Sequence, residues 1–341
     1  MPVHSQSAAR PRAAKHRLLG VLVLLGAGVF AAAAAPGHDM PSPGSRALGR
    51  ALAVPGAGCG SDVWLVSTRR LPAICALPTA PDLHVERRVC GRWERSDLAD
   101  LLGDDSRPLL IFIHGNRYDA CDAKSQGVLL ARHVAACCPD APTPQTLIFS
   151  WPSDQQGILL KDGRAKYERA FVDAHYLAWL LGQVAPERPL AIVGYSFGAL
   201  IASEAVEDLA AANRQGRTDI QPWSGRPGRT HLVFVAPAVR CDALAPRGPY
   251  REVLDGLEKF TLVINSRDDA LRFFHLLDKG MRADALGYVG MPRRWLDAEI
   301  EYSATDAASI VGRNHGLPLY LASPLLTRRI AQGAVEGLAD Q

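Results

Sequence analysis

The chain has 341 residues, 48% of them hydrophobic, with 30 Gly and 24 Pro, an ordinary globular composition whose length suits one large α/β domain with additions or two small domains. Lys and Arg total 38 against 35 Asp and Glu, but Arg10, Arg12, Lys15 and Arg17 sit in an N-terminal stretch without acids, and removing these four leaves 34 against 35. A near-neutral body lacks the electrostatic footprint of a nucleic-acid partner.

The basic stretch to Arg17 precedes residues 18–35, which carry no charge and are dense in Leu, Val and Ala. This is the layout of a secretory signal. The apolar run of 18 residues is also at the lower edge for spanning a bilayer. Residues 1–35 therefore read as a signal peptide or an N-terminal membrane anchor, and the chain as exported, either periplasmic or held in the cell envelope. Ala33 and Ala35 offer a small-x-small cut, with Pro36 just beyond it. Residues 36–57, rich in Ala, Gly and Pro, read as a flexible linker. Residues 58–341 read as the folded domain, in which 58–105 form a cysteine-containing extension.

All seven cysteines (Cys59, Cys75, Cys90, Cys121, Cys137, Cys138 and Cys241) lie past the linker. An exported chain is expected to pair some of them, and an odd count leaves at least one free or paired between chains. If residues 123–136 are helical, Cys121 and Cys137 stand about 24 Å apart at ~1.5 Å per residue, too far to bridge. Cys75–Cys90 is the first expected pair. The spacings do not form a zinc pattern.

In chain order, residues 63–68 read as a strand, followed by a loop with Pro72, Pro78 and Pro81. Residues 83–93 read as a second strand, and Ser96 as the cap of a short helix to residue 102. The apolar run 109–113 ends at His114-Gly115-Asn116, as a buried central strand ends. A helix over 123–136, a strand over 146–150 and a long amphipathic helix over 164–181 follow. Then Leu190-Ala191-Ile192-Val193-Gly194-Tyr195-Ser196-Phe197-Gly198 reads as strand, tight turn and helix start. Residues 213–229 read as a surface loop, 231–235 and 260–265 as strands, and 270–277 as a helix. Residues 280–292 fit no one element. A last strand over 300–303, a loop to His315 and a helix over 325–335 complete the chain. Strands alternating with helices predict a mostly parallel central sheet with helices on both faces.

Gly194-Tyr195-Ser196-Phe197-Gly198 is a Gly-x-Ser-x-Gly elbow. A serine hydroxyl attacks well only when held clear of the backbone beside a base. Ser196, an aspartate and His315 each follow a predicted strand, where sites form in open parallel sheets. Their order matches a Ser-Asp-His triad. For the acid, Asp269 opens Ala270-Leu271 and is preferred; Asp268 is the alternative acid, or the cap of the next helix. His315, in a loop beside Gly316, is preferred as base over His275, which reads as a packed histidine. The backbone N–H groups of Phe197 and Asn116 are the expected oxyanion donors. Trp151 and Tyr195 line the expected substrate pocket, or else pack in the core, and His114 reads as a structural residue of its loop. No cofactor or metal is implied.

With these residues placed, the chain resembles the α/β-hydrolase superfamily. More narrowly, it is similar to a bacterial branch of unknown function. The shared segments are Phe112-Ile113-His114-Gly115-Asn116, Ser150-Trp151-Pro152-Ser153, the elbow, Val235-Ala236-Pro237-Ala238, Ser266-Arg267-Asp268-Asp269-Ala270-Leu271 and Asn314-His315-Gly316. Val66-Ser67-Thr68-Arg69 resembles an entry strand of that branch. Tyr195 stands where many relatives have His. The resemblance implies an α/β-hydrolase fold over about residues 108–320. The reading that follows is an exported serine hydrolase cleaving a small-molecule ester through an acyl-enzyme. A non-catalytic envelope binding or scaffold protein on the same fold is the alternative.

Overall fold

The computed structural model describes residues 62–139, 141–157, 159–277 and 282–339; the expected signal or anchor and the linker lie outside them. The strands are β1 (Val63–Ser67), β2 (His84–Val89), β3 (Arg92–Arg95), β4 (Leu109–Ile113), β5 (Gln145–Ser150), β6 (Leu190–Tyr195), β7 (Thr230–Val235), β8 (Lys259–Ile264) and β9 (Glu301–Asp306). They form one sheet in the order β3-β2-β1-β5-β4-β6-β7-β8-β9. The β1–β2 and β2–β3 pairs are antiparallel; every other pair is parallel. This is the mostly parallel α/β architecture that the alternation of elements predicts.

Every position of β4, β5, β6 and β7 is buried, which explains their nearly unbroken apolar sequences. The helices are α1 (Leu98–Leu102), α2 (Ala120–Cys137), α3 (Leu159–Leu181), α4 (Phe197–Arg214), α5 (Asp269–Arg272), α6 (Leu286–Val289), α7 (Ala308–Val311), α8 (Leu317–Ala322) and α9 (Pro324–Val335). Helices α2 and α9 pack on each other and on one side of the sheet, while α3 packs on α4, which rides on β6 and β4. Small residues set the distance: a Cβ at Gly127 of α2 would lie 2.4 Å from the Ile148 side chain.

Several boundaries differ from the sequence reading. The single strand expected over 83–93 is a hairpin, because Cys90 and Gly91 both take positive φ (45° and 87°) and turn the chain back. Asp119 and Asp122 cap α2 reciprocally, so it begins at Ala120. Asp97, not Ser96, stands at the N-cap of α1. The helix expected over 270–277 stops after one turn at Arg272, and a 3-10 turn over Phe274–Leu276 follows. The loop expected before His315 contains α7, and α8 follows directly after it.

Cys75 is a free thiol, as are Cys121, Cys137, Cys138 and Cys241, so the expected Cys75–Cys90 bridge is not formed. The sheet explains this. His84 pairs with Ser67 at the carboxyl end of β1, and Arg88 with Val63 at its amino end. Cys75 lies on the connection at the first end and Cys90 at the second, about 17 Å away at ~3.4 Å per strand residue. Among the described residues no helix is long and apolar enough to cross a membrane.

At the amino ends of the strands a polar network replaces apolar packing. Arg188, 1% exposed, donates to Arg107 O (2.9 Å), Leu101 O (3.0 Å) and Gln145 Oε1 (2.6 Å). Gln145 Nε2 donates in turn to Asp104 (2.7 Å) and Asp62 (3.2 Å). One guanidinium thus ties together the chain leading into four strands. Arg188→Met is expected to lower the unfolding free energy by about 3 kcal/mol, since it strands three buried acceptors. Denaturant unfolding with an unchanged slope checks this.

Candidate active site

Strand β6 delivers Ser196 and α4 carries it away, and the turn between them leaves no room for side chains. A Cβ on Gly194 would lie 2.8 Å from Ala199 Cα, and one on Gly198 only 2.0 Å from Ile113 O. Ser196 itself takes φ 54° and ψ −119°, a conformation that costs a non-glycine residue roughly 1–3 kcal/mol. Neighbours hold it there. Ser196 N donates to Val235 O (3.0 Å), and Ser196 O accepts from Ala199 N and Ala238 N (3.1 Å each).

His315 arrives from the loop after α7. Its Nε2 lies 2.7 Å from Ser196 Oγ, and its Nδ1 2.7 Å from Asp268 Oδ2. With Nδ1 carrying the proton, it donates to the carboxylate and leaves Nε2 to accept from the serine hydroxyl. The carboxylate facing His315 is that of Asp268, not Asp269 as preferred from sequence. Asp269 turns outward and pairs with Arg313 through two contacts of 2.9 Å. Asp268 also caps α5, its Oδ1 accepting from Ala270 N (2.9 Å) and Leu271 N (3.0 Å). One carboxylate thus meets both the imidazole and the helix start, each through a different oxygen. Asp268 is fully buried and His315 is partly open to solvent.

The loop bearing His315 is tied from two sides. Asn265 Nδ2, at the end of β8, donates to Gly312 O (2.9 Å) and Asn314 O (3.0 Å). Tyr195 Oη donates to His315 O (2.6 Å), and its ring centroid lies 5.4 Å from the imidazole. Tyr195 is 3% exposed and Trp151 fully buried. Neither presents a free wall to a substrate: of the two readings, core packing describes both, and they support the site from behind. Trp151 Nε1 donates to His114 O (2.9 Å), and its indole stacks on His114 at 5.8 Å.

His114 holds the β4 loop, as expected. Its Nδ1 donates to Gly115 O (2.9 Å) while Nε2 accepts from Trp151 N (3.3 Å). Complete burial pushes its pKa down to about 3, so the imidazole is neutral. A Cβ on Gly115 would meet both the Tyr195 ring (2.8 Å) and Ser196 Cβ (2.9 Å). The loop carrying Asn116 is thereby pressed against the serine. The Asn116 side chain turns back to accept from Arg117 N (2.9 Å). Phe197 opens α4, where first-turn N–H groups have no acceptor within the helix. His275 lies in the 3-10 turn after α5 and is half-buried.

Sequence reasoning missed Arg69 and Asn265. Arg69, at the end of β1, donates to Ser150 Oγ (2.8 Å), Asp154 Oδ2 (2.6 Å) and Tyr118 O (2.9 Å), joining three loops behind the site. An arginine closing a buried strand was the available signal. Among the described residues no cluster could hold a metal ion. Two cavities of about 310 and 270 Å³ lie away from Ser196. One is beside Cys137, Cys138 and Glu336, and the other beside Ile264, Met291 and Tyr302.

The model of the family described as "Alpha/beta hydrolase of unknown function (DUF900)" matches residues 93–301. No curated protein matches the chain. Among solved structures, the chain is similar to an inhibited esterase B from Lactobacillus rhamnosis, with 13% identity, 80% of this chain and 84% of that chain covered, and a TM-score of 0.37. It is also similar to the lin2722 gene product of Listeria innocua (11%, 67% and 93%, 0.33). A third is acetyl xylan esterase 1 from Thermoanaerobacterium sp. JW/SL YS485 (12%, 72% and 83%, 0.30).

The buried histidines set an acid limit on stability. His114 and His231 are held by burial at about 3 and about 4, below the unfolded value near 6.5. The unfolded chain therefore takes up protons first, and stability present above pH 6.5 is lost as pH falls. Each group removes at most about 1.4 kcal/mol per pH unit below 6.5. Stability measured by denaturant at pH 6.5 and 5 should fall accordingly, and His114→Asn should show the smaller drop. Equal drops would place the effect elsewhere.

Proposed function

The chain belongs to a family of α/β-hydrolases of unknown function, and on that premise we propose that it is a serine hydrolase cleaving carboxylic esters through an acyl-enzyme. One observation carries the reading: Ser196 Oγ, His315 and Asp268 form a continuous chain with both links at 2.7 Å. A core that merely needed a satisfied serine would not require the strained backbone at Ser196 as well.

The steps follow from the atoms. Ser196 Oγ attacks the ester carbonyl as its proton passes to His315 Nε2. Asp268 stabilises the imidazolium and fixes its tautomer. The new oxyanion lies against the N–H of Phe197 and that of Asn116, donors typically worth about 3 kcal/mol of barrier each. The imidazolium then protonates the leaving alkoxide, the carbonyl re-forms and the acyl group stays on Ser196. A water molecule, deprotonated by His315, attacks in the second half and regenerates the hydroxyl. An ester suits this apparatus because an alcohol leaves with less protonation than an amine. Thioesters and amides would follow the same path. The basic, then apolar, N-terminal sequence supports placing this activity outside the cytoplasm, free or anchored.

A fluorophosphonate probe should label the wild type and not Ser196→Ala. On p-nitrophenyl esters of rising chain length, Asp268→Asn should lose about 10⁴-fold in kcat, whereas Asp269→Asn should stay within about threefold, since its carboxylate meets Arg313 and not the imidazole. Absence of label on the wild type, or equal label on Ser196→Ala, refutes the proposal.

A further inference from the structure

Seven large hydrophobic side chains stand exposed among the described residues: Val89, Leu160, Phe273, Val289, Ile310, Leu319 and Leu325. Val89 lies beyond Arg88, whose partner Val63 opens β1, at the amino edge of the sheet. Five of the others belong to segments at the carboxyl edge, where Ser196 and His315 sit. Phe273 (37% exposed) follows Asp268 by five residues, and Leu319 (45%) follows His315 by four. Ile310 lies on the turn of helix that follows β9. Leu160 opens the helix that begins after β5. That helix start is joined to the Phe273 segment, because Arg164 Nε donates to Leu276 O at 3.0 Å. Val289 is not of this group: it lines the cavity beside Ile264, Met291 and Tyr302, away from Ser196. The far end of α9 meets strand starts, with Arg229 donating to Gly337 O (3.2 Å), so Leu325 at its beginning faces the carboxyl edge. Five of the seven thus belong to segments at the carboxyl edge of the sheet.

Charge accompanies the apolar groups. Lys161 adjoins Leu160, and the Arg272 guanidinium lies 5.7 Å from the Phe273 ring centroid. Lys161, Arg267 and Arg272 are exposed and have no ion pair among the described residues. Of the carboxylates in the same segments, Asp269 pairs with Arg313 (2.9 Å) and Asp154 with Arg69 (2.6 Å), while Asp306 accepts from Ser266 Oγ (2.5 Å). Asp119 and Asp122, at the start of the helix after β4, and Asp284 remain exposed without an ion pair among the described residues. Apolar side chains flanked by basic ones match an interface with hydrocarbon below and anionic headgroups above.

We propose that the rim around Ser196 and His315 docks on a lipid surface bearing anionic headgroups, through Leu160, Phe273 and Leu319 with Lys161 and Arg272. This names where the proposed hydrolase meets an acyl ester, but the docking itself does not rest on turnover. Ser196→Ala should bind as the wild type does, so failure of docking and failure of hydrolysis are told apart.

The test is flotation of the full chain with phosphatidylcholine vesicles, with and without phosphatidylglycerol. The wild type should prefer the anionic vesicles. Lys161→Glu with Arg272→Glu should weaken that binding by about thirtyfold or more, at roughly fivefold per basic residue, and should hardly change binding to phosphatidylcholine alone. Leu160→Ser with Phe273→Ser should weaken binding to both. Amide exchange should slow in 269–277 and 317–325 when anionic vesicles are added, a local readout independent of the N-terminal segment. Unchanged exchange there, with both double variants binding like the wild type, overturns the proposal. So does a shift from dimer to monomer in the apolar variant without loss of vesicle binding, which would assign the rim to a second copy of the chain.

Discussion

The site depends on a backbone held where it would not rest by itself. Ser196 at φ 54° is tolerable only because the surrounding hydrogen bonds fix both sides of its peptide, and because Gly194 and Gly198 let a helix and two strand ends close on it. The added Cβ at Gly198 would collide with Ile113 O, a backbone atom of a fully buried central strand, so nothing flexible could yield. The elbow is thus secured by the core of the sheet, and the strain is sustained by packing far from the hydroxyl.

The remaining groups are brought in by connections between neighbouring strand ends. Asn265 closes β8 and holds the two carbonyls that flank the His315 loop; Asp268, three residues on, takes both the imidazole and the start of α5. Tyr195 closes β6 and holds the carbonyl of His315 itself. Serine and histidine are therefore positioned through residues one step away in sequence or space, and the imidazole cannot drift without breaking several bonds. The β4 loop is fixed separately, by a neutral buried His114 stacked between Tyr118 and Trp151.

Much of this was legible in the sequence, for physical reasons that differ by element. Central strands announced themselves because burial on both faces leaves only apolar residues, and the elbow because two positions admit no side chain. The β2–β3 hairpin was not legible, since its turn uses Cys90-Gly91 in place of the Asn-Gly or Asp-Gly pairs that usually signal positive φ at both positions. The short helices α6, α7 and α8 span one or two turns, too few for a periodic pattern. For Trp151 and Tyr195 two readings stayed open, because an aromatic beside the elbow looks the same in sequence whether it faces a pocket or the core. The ring's other end decides, and for both it donates a hydrogen bond to a backbone carbonyl.

The choice between adjacent aspartates shows how such ambiguity resolves. An N-cap side chain must face back over the helix it caps, whereas the first residue inside the helix projects outward. Asp268 at the cap is therefore turned inward and buried, where a carboxylate needs several donors; two backbone N–H groups and the imidazole supply them. Asp269, one residue later, reaches solvent and meets Arg313 from the same loop that delivers His315. Cap and partner of the imidazole are not competing places for one carboxylate. A carboxylate has two oxygens, and the geometry that makes it a good cap is what lets its second oxygen meet the histidine. The two neighbours therefore differ in kind: Asp268 meets the imidazole from inside, and Asp269 makes an exposed ion pair with Arg313.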